Sequence, residues 1–475
     1  MLLMLALIAV SSIFLLAVLQ LRPTRYGKAQ PGAPEPDAVS VQIVVLGDIG
    51  HSPRMQCHAL SIARHGGRVS LIGYHNSTPN LELVEHPLVS IVALPSPPRF
   101  LQSSSKLLFP VVAVLKVLHQ TWHLWAALAY RTTPAKWMLI QELYRGISLL
   151  RTDCIYPQNP PAAPTLAIAQ LACRLRNTHL IIDWHNFGYS ILALKLGAAH
   201  PMVKLMAWHE YSFSHFATAH FCVSNAMARV LREQVKVKGP LLVLHDRPPT
   251  IFNPILDERE RLDFLSSLPE TSPYAKDIIQ GRCRLLISST SWTPDEDFSL
   301  LVDALCRYSN LTKSSHPNLP SLLVIITGKG PQKEMYLSQV ASLTARGELS
   351  NVSIKLVWLA FESYARLLAC ASLGVCLHTS SSGVDLPMKV VDMFGAGLPV
   401  IGWDRYEAWP ELVTEGVNGK GFDSADKLLE LLTSLFGGSG SDLKVLRDGA
   451  IRESRNRWDG TWDPIAGKLF DLVVT

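Results

Sequence analysis

None of the eight cysteines forms a CxxC pair, and none stands at metal-ligand spacing from a pair of histidines. Their absence from such patterns excludes a disulfide frame and a zinc-finger type of site. Cys57, Cys154, Cys173, Cys222, Cys283, Cys306, Cys370 and Cys376 read as small buried hydrophobes of a reducing compartment. Charge is also sparse: Asp, Glu, Lys and Arg make up 17% of the chain, and the net charge of +5 is dispersed without a dense basic run. Nucleic acid is therefore not expected as a partner. The first strand-to-helix turn, GDIGHSPR (47–54), lacks the GxGxxG spacing of a dinucleotide site. No DxD motif appears in a context suited to a metal-bound diphosphate. TPDED (293–297) is acidic enough to bind a divalent cation, yet it reads more naturally as a helix N-terminus, so a cation is left unassigned and no residue is given to a metal.

The longest stretch without charge lies at the start. From Leu2 to Leu21 the chain reads LLMLALIAVSSIFLLAVLQL, and twenty helical residues span about 30 Å, the hydrocarbon thickness of a bilayer. A cleaved signal peptide would need a positive leader, a shorter apolar core and a small-x-small cleavage site, and none is clear. Residues 1–21 are thus expected to be a retained transmembrane signal-anchor. Arg22, Arg25 and Lys28 follow it, which by the positive-inside rule places the bulk of the chain in the cytosol. The Pro-rich AQPGAPEPDA lies within a tether over 22–40. A second apolar segment, LLFPVVAVLKVLHQTWHLWAALAY (107–130), has Lys116 near its middle and Trp122, Trp125 and Tyr130 toward one end. Spanning would bury the lysine at about 2.5–3.5 kcal/mol, so a membrane-associated interfacial helix fits better, with an ordinary core helix as the alternative.

What remains alternates buried strands with helical patterns. VQIVVLGDIG, RVSLIGY, LIIDWHNFGYS and HFCVSNAMARVLREQ belong to a first α/β series (41–250); RLLISSTSW, SLLVIITGKGP, VSIKLVWL, LGVCLHTSSSG and LPVIGW belong to a second (283–475), whose last helix could return to the first. Residues 251–282 are charged and Pro-containing and read as a linker with an insertion. The expected fold is α/β, with two doubly wound parallel sheets and a cleft between them. Ligands of such sheets sit beyond the carboxyl ends of the strands.

The densest chemistry is SSSGVDLPMKVVDMFGAGLPVIGW (380–403). Asp385 suits an N-cap and Pro387 a first turn, so Lys389 falls at the positive end of a short helix. A lysine is misplaced there unless an anion, such as a phosphate, shares the site. Asp392 follows one turn later, spaced to grip ribose hydroxyls; a plain i, i+3 ion pair is the bland alternative. Ser381, Ser382, Gly383, Ser291, Gly328, Gly330 and His378 complete a donor-binding set. In the first series, Gly47, Asp48, Gly50 and Arg54 line one turn. Asp183, Trp184, His185 and Asn186 crowd a strand end, and His209 and Glu210 face the same cleft; Gly47, Asp48, Gly50, Arg54, Asn186 and Glu210 are expected on the acceptor side of that cleft.

Taken together, GDIGHSPRM, DWHNFGYS, CVSNAM, LHDRPP, SSTSWTPDEDF, TGKGP and LGVCLHTSSSGVDLPMKVVDMFGAGLPV resemble the chitobiosyldiphosphodolichol beta-mannosyltransferase family from about Val41 onward. The resemblance implies a GT-B glycosyltransferase with two Rossmann-like domains. Its expected reaction moves the first mannose from GDP-mannose, in β1,4 linkage, to GlcNAc2-diphosphodolichol on the cytosolic face of the endoplasmic reticulum membrane. It also implies that Lys389 meets the donor diphosphate and Asp392 the ribose, with no tightly bound cofactor. Other mannosyltransferases of the same route are expected neighbours. His51 stands where the family usually has Arg, and Phe361-Glu362-Ser363-Tyr364-Ala365 where it has an acidic residue before Asp-Tyr-Pro. Because the donor linkage is α and the product β, one direct displacement suffices, with His185 or Asp183 as candidate base and Asp48 and His378 as rivals. The alternatives are a GT-B transferase for another lipid-linked sugar and a catalytically silent membrane-tethered scaffold; the presence of Lys389 and Asp392 argues against the scaffold.

Overall fold

Strands buried on both faces read as continuous apolar runs, and such runs build two sheets in the computed structural model. The model describes residues 23–27, 39–98, 101, 109–142, 165–293, 296–438 and 440–473. The expected anchor over 1–21 lies outside them. The chain divides into two units. The first holds the described residues up to Cys222, Ala228–Leu244 and those from Trp462 onward; the second holds Val223–Met227 and His245–Thr461.

Seven parallel strands form the first sheet: β1 (Ser40–Asp48), β2 (Arg68–Tyr74), β3 (Val89–Ala93), β4 (Trp137–Glu142), β5 (His179–Trp184), β6 (Ala219–Cys222) and β7 (Leu241–Val243). Their spatial order is β3-β2-β1-β4-β5-β6-β7, so the winding reverses between β1 and β4. Helix Pro53–Arg64 follows β1 with a proline in its first turn and buries Met55, Ala59, Leu60 and Ile62. The end of the chain belongs to this unit as well. Trp462 stacks on Phe470 at 6.1 Å, and Lys136 pairs with Asp471 at 2.6 Å.

The second sheet has six parallel strands: β8 (Cys283–Thr290), β9 (Ser321–Gly328), β10 (Val352–Val357), β11 (Leu373–Cys376), β12 (Val400–Trp403) and β13 (Gly419–Phe422). The order is β10-β9-β8-β11-β12-β13, with the reversal between β8 and β11. Helix Phe298–Ser314 lays Phe298, Leu301, Leu305 and Tyr308 into the core beneath Trp292 and Tyr336. The segment expected as a linker is largely ordered structure of this unit. Asp257 caps helix Glu258–Ser267 by accepting from Arg259 N at 2.8 Å, and that helix packs on Phe361–Cys370. Glu411 holds Val223–Met227 within the same unit, accepting from Asn225 N at 2.6 Å, Ala226 N at 2.7 Å and His245 Nε2 at 3.0 Å.

The 107–130 segment forms helix Phe109–Ala126 followed by a wider turn at Ala127–Arg131. No helix among the described residues is long and apolar enough to cross a membrane. Leu124, Trp125 and Ala127–Ala129 are buried in the unit, whereas Val111, Leu115 and Trp122 remain exposed. Its end, from Leu124 to Ala129, packs into the unit.

Candidate active site

The reversal between β8 and β11 opens a crevice at the carboxyl ends of those two strands, and the loops leaving them carry most of the charge there. After β8 the chain turns through Ser291 to Asp297, whose carboxylate caps helix Phe298–Ser314 by accepting from Ser299 N. The acidic run thus starts a helix, as its spacing suggests, but Glu296 does something else. It is only 2% exposed. One of its oxygens accepts from Thr290 Oγ1 at 2.5 Å and Ser291 N at 2.8 Å, and the other takes Lys389 Nζ. A short antiparallel bridge from Glu296 to His378 ties the two loops together.

After β11, Leu377–Pro387 winds back over the strand ends. Asp385 has the composition of an N-cap, but it caps nothing. The helix runs Met388–Gly395 with Pro387 at the cap position, and Asp385 faces the loop instead. There it gathers His378 Nε2 at 3.0 Å, Ser382 Oγ at 3.0 Å and the Ser380 hydroxyl. Burial alone would raise its pKa; the His378 and serine hydrogen bonds outweigh that and hold the carboxyl below its ordinary value. Gly383 takes φ +75°, open to a glycine without strain, and lets the loop turn back.

Lys389 sits in the first helical turn with its side chain 24% exposed. The anion that its position demands is present in the chain itself as Glu296. A buried carboxylate with two further donors keeps this lysine charged and aimed, while leaving part of it open. One turn on, Asp392 is half-buried. Burial, and then the nearby charge of the buried Asp246, push its carboxyl up to about 8. It is thus neutral at pH 7 and able to donate a hydrogen bond as well as accept one. Tyr364, whose hydroxyl is 2.7 Å from Ser289 Oγ, has its pKa raised by burial and by this same Asp392.

Gly328 and Gly330, expected at a ligand, serve strand packing. A Cβ on either would collide with the backbone of Thr290 or Ser291, so small residues are needed for the β9 exit to lie against the β8 exit. Ser291 is exposed at the same edge.

The first unit's cluster is built differently. Asp183, at the end of β5, is completely buried and receives Arg54 Nε at 2.7 Å and Nη2 at 2.9 Å. Arg54 also donates to Leu244 O at 2.9 Å. His58 completes the group. Its Nδ1 accepts from Trp462 Nε1 at 2.9 Å, and since an indole only donates, the ring proton must lie on Nε2, 3.4 Å from Asp183. Burial would raise Asp183, but the Arg54 charge and the bonds from His58 and Arg54 win and hold it far below the carboxylate range. Asp183 and Arg54, expected as a base and an acceptor contact, are thus paired with each other in the interior of the unit.

Asp48 is clasped by Ser77 Oγ at 2.5 Å, Asn76 N at 3.1 Å and His51 Nδ1 at 2.9 Å, which outweigh its burial and lower its pKa. Gly47 lies within β1, and a Cβ on Gly50 would collide with Ser77, so the close crossing of that residue needs a glycine there. Asn186 accepts from Phe187 N at 2.8 Å, and the buried Glu210 accepts from Tyr189 N at 3.0 Å, so both serve the start of helix Gly188–Leu196. His209 is buried with its pKa pushed down to about 4. His185, half-buried at the exit of β5, stays among the candidates.

Two residues that sequence reasoning passed over thus organise the second crevice: Glu296 and Asp246. The signal for the first was the acidic run itself, one residue before its helix cap. Among the described residues no group of three or more His, Cys, Asp or Glu side chains is placed to hold a metal ion.

Two units, each built on a parallel Rossmann-like sheet, are the architecture of the GT-B fold. Sucrose-phosphate synthase from Thermosynechococcus elongatus shares that fold, with a TM-score of 0.58 at 14% identity over 91% of this chain and 98% of its own. No family model matches the chain. The chitobiosyldiphosphodolichol beta-mannosyltransferase of Arthroderma benhamiae is 65% identical over 96% of this chain and 96% of its own length. The chain therefore belongs to the chitobiosyldiphosphodolichol beta-mannosyltransferase family. It is also 39% identical to the Arabidopsis thaliana protein named UDP-glycosyltransferase TURAN, over 91% of this chain and 97% of that one.

Proposed function

We propose that this enzyme moves mannose from GDP-mannose, in β1,4 linkage, onto the chitobiose of a diphosphodolichol carrier. The observation that carries the reading is the 65% identity, across nearly the whole chain, to a relative named for a beta-mannosyl transfer to that acceptor. In the displacement, the acceptor O4 attacks the anomeric carbon as the bond from that carbon to the GDP oxygen breaks. The hydroxyl proton passes to a base, and GDP departs with one more negative charge. Lys389, steadied by Glu296, and the amino end of helix Met388–Gly395 stabilise that charge. Asp392, its carboxyl pushed up to about 8 by burial and by Asp246, holds ribose hydroxyls as donor or acceptor. His185, half-buried at the exit of β5, is the proton acceptor in this reading; Asp183 and Asp48 are held as carboxylates and His378 is paired with Asp385.

The acceptor is a membrane lipid, and the charge-free Leu2–Leu21 with the basic residues that follow supports attachment to the endoplasmic reticulum membrane, catalytic units on the cytosolic side. One observation favours a second reading: the TURAN relative carries a uridine nucleotide in its name. Purified protein incubated with GlcNAc2-diphospholipid and either labelled GDP-mannose or labelled UDP-sugars separates the two. A trisaccharide lipid formed from GDP-mannose is the expected result; label entering only from a UDP-sugar overturns it.

A further inference from the structure

In the first unit, helices Gly188–Leu196 and Pro201–Ser214 form a hairpin closed around Leu192, Val203 and Met206. The outer side of the hairpin is as apolar as the inner. Leu194 is 57% exposed, Leu205 54% and Trp208 61%, with Met202 and Leu196 beside them and Phe216 just beyond the second helix. Single exposed hydrophobes are ordinary, but Met202, Leu205 and Trp208 recur at three-residue spacing on one helix, and such a grouped apolar face marks an interaction surface. Its charge is of one sign. From Gly188 to Trp208 there is no Asp or Glu, while Lys195 and Lys204 are exposed among the apolar side chains.

We infer that this hairpin lies on an anionic lipid surface, its leucines and Met202 in the acyl boundary, Trp208 at headgroup depth and the two lysines on lipid phosphates. The composition is that of a helix lying in the interface: aliphatic and Trp on one face, Lys at the margin. A second observation concerns where the start of the chain joins this unit. Residues 23–27, which directly follow the charge-free run, are tied to the end of helix Thr165–Arg176: Tyr26 N donates to Arg176 O at 2.7 Å, and Arg25 Nε donates to Leu175 O at 3.1 Å. That helix packs on Pro201–Ser214, and its Arg174 lies over the Phe216 ring at 4.6 Å. Residues 25 and 26 thus meet the helix end that carries the Arg174–Phe216 contact. The inference rests on the proposed lipid-linked acceptor, which a docked hairpin would keep within reach of the enzyme.

The test uses the full chain reconstituted in nanodiscs of phosphatidylcholine and phosphatidylserine containing a shallow spin-labelled lipid. An environment-sensitive fluorophore is attached at Leu205→Cys and, as a control, at the exposed Lys444→Cys of the second unit. Strong quenching at 205 and none at 444 is expected. An unquenched 205, or a blue-shifted but unquenched 205 together with a dimeric mass, overturns lipid docking; the latter would assign the face to a second copy of the chain. In a parallel assay the triple variant Leu194→Ser, Leu205→Ser, Trp208→Ser should raise KM for bilayer-delivered acceptor by roughly tenfold or more while leaving KM for GDP-mannose unchanged. An unchanged acceptor KM also counts against docking. The quenching needs no turnover, so a failure of docking and a failure of the mannosyltransferase reading are seen separately.

Discussion

Each unit gathers ionised side chains at the carboxyl edge of a parallel sheet, yet the two clusters differ in what they leave available. In the first, Arg54, Asp183 and His58 consume one another: every charge is buried, and Trp462 completes the set. In the second, Glu296 is buried but its partner Lys389 is not, and Asp392 is held neutral beside Asp246. A crowd of polar residues at a strand end is therefore no sign of chemistry by itself. What separates a brace from a site is whether one member of the pair still reaches solvent and whether a carboxyl has been driven away from its ordinary state.

The contrast breaks most readily at the brace. Arg54→Ala should cost about 3–5 kcal/mol of stability, because it leaves Asp183 charged and uncompensated in the interior. The loss should appear as a lower denaturant midpoint. A loss of less than about 1 kcal/mol, the worth of an ordinary surface ion pair, would mean that the first cluster does not brace the unit.

Lys389→Ala should lower activity, alongside a stability cost from leaving the buried Glu296 without its counter-ion. Loss of one charge-assisted contact to the donor is worth about 1.5–3 kcal/mol, or roughly tenfold to a hundredfold in kcat/KM for GDP-mannose. Kinetics like the native enzyme's would remove the diphosphate assignment.

A change of pH sharpens the comparison in another way. A carboxyl raised from 3.8 to about 8 keeps its proton in the folded state where the unfolded chain has released it. Asp392 therefore costs nothing below about pH 4, and its cost grows as pH rises to 8 and then levels. Asp392→Asn should gain stability relative to the native chain between pH 5 and pH 9, read from denaturant midpoints at both. Parallel pH curves would show that the carboxyl titrates normally.

Much of the scaffold is legible in the sequence because parallel strands covered on both faces are plain apolar runs: RVSLIGY is the strand Arg68–Tyr74 itself. Lys389 and Asp392 are legible for a related reason, since helix phase and dipole are local properties. What is not legible depends on sheet order. Glu296 and Lys389 are 93 residues apart and meet only because β8 and β11 are neighbours. Arg54 and Asp183 are 129 apart, so their pairing has no local signature. The helix starts later than its composition suggests for a physical reason as well: Asp385 has better donors in His378, Ser380 and Ser382 than the first turn could offer, which leaves Pro387 at the cap.

A structure of the enzyme with bound GDP tests the central assignment most directly. The diphosphate should lie within hydrogen-bonding distance of Lys389 Nζ, about 3 Å, at the amino end of helix Met388–Gly395, with the ribose beside Asp392. A nucleotide seated in the first unit, its phosphates on the Arg54 and Asp183 cluster or elsewhere, would contradict it.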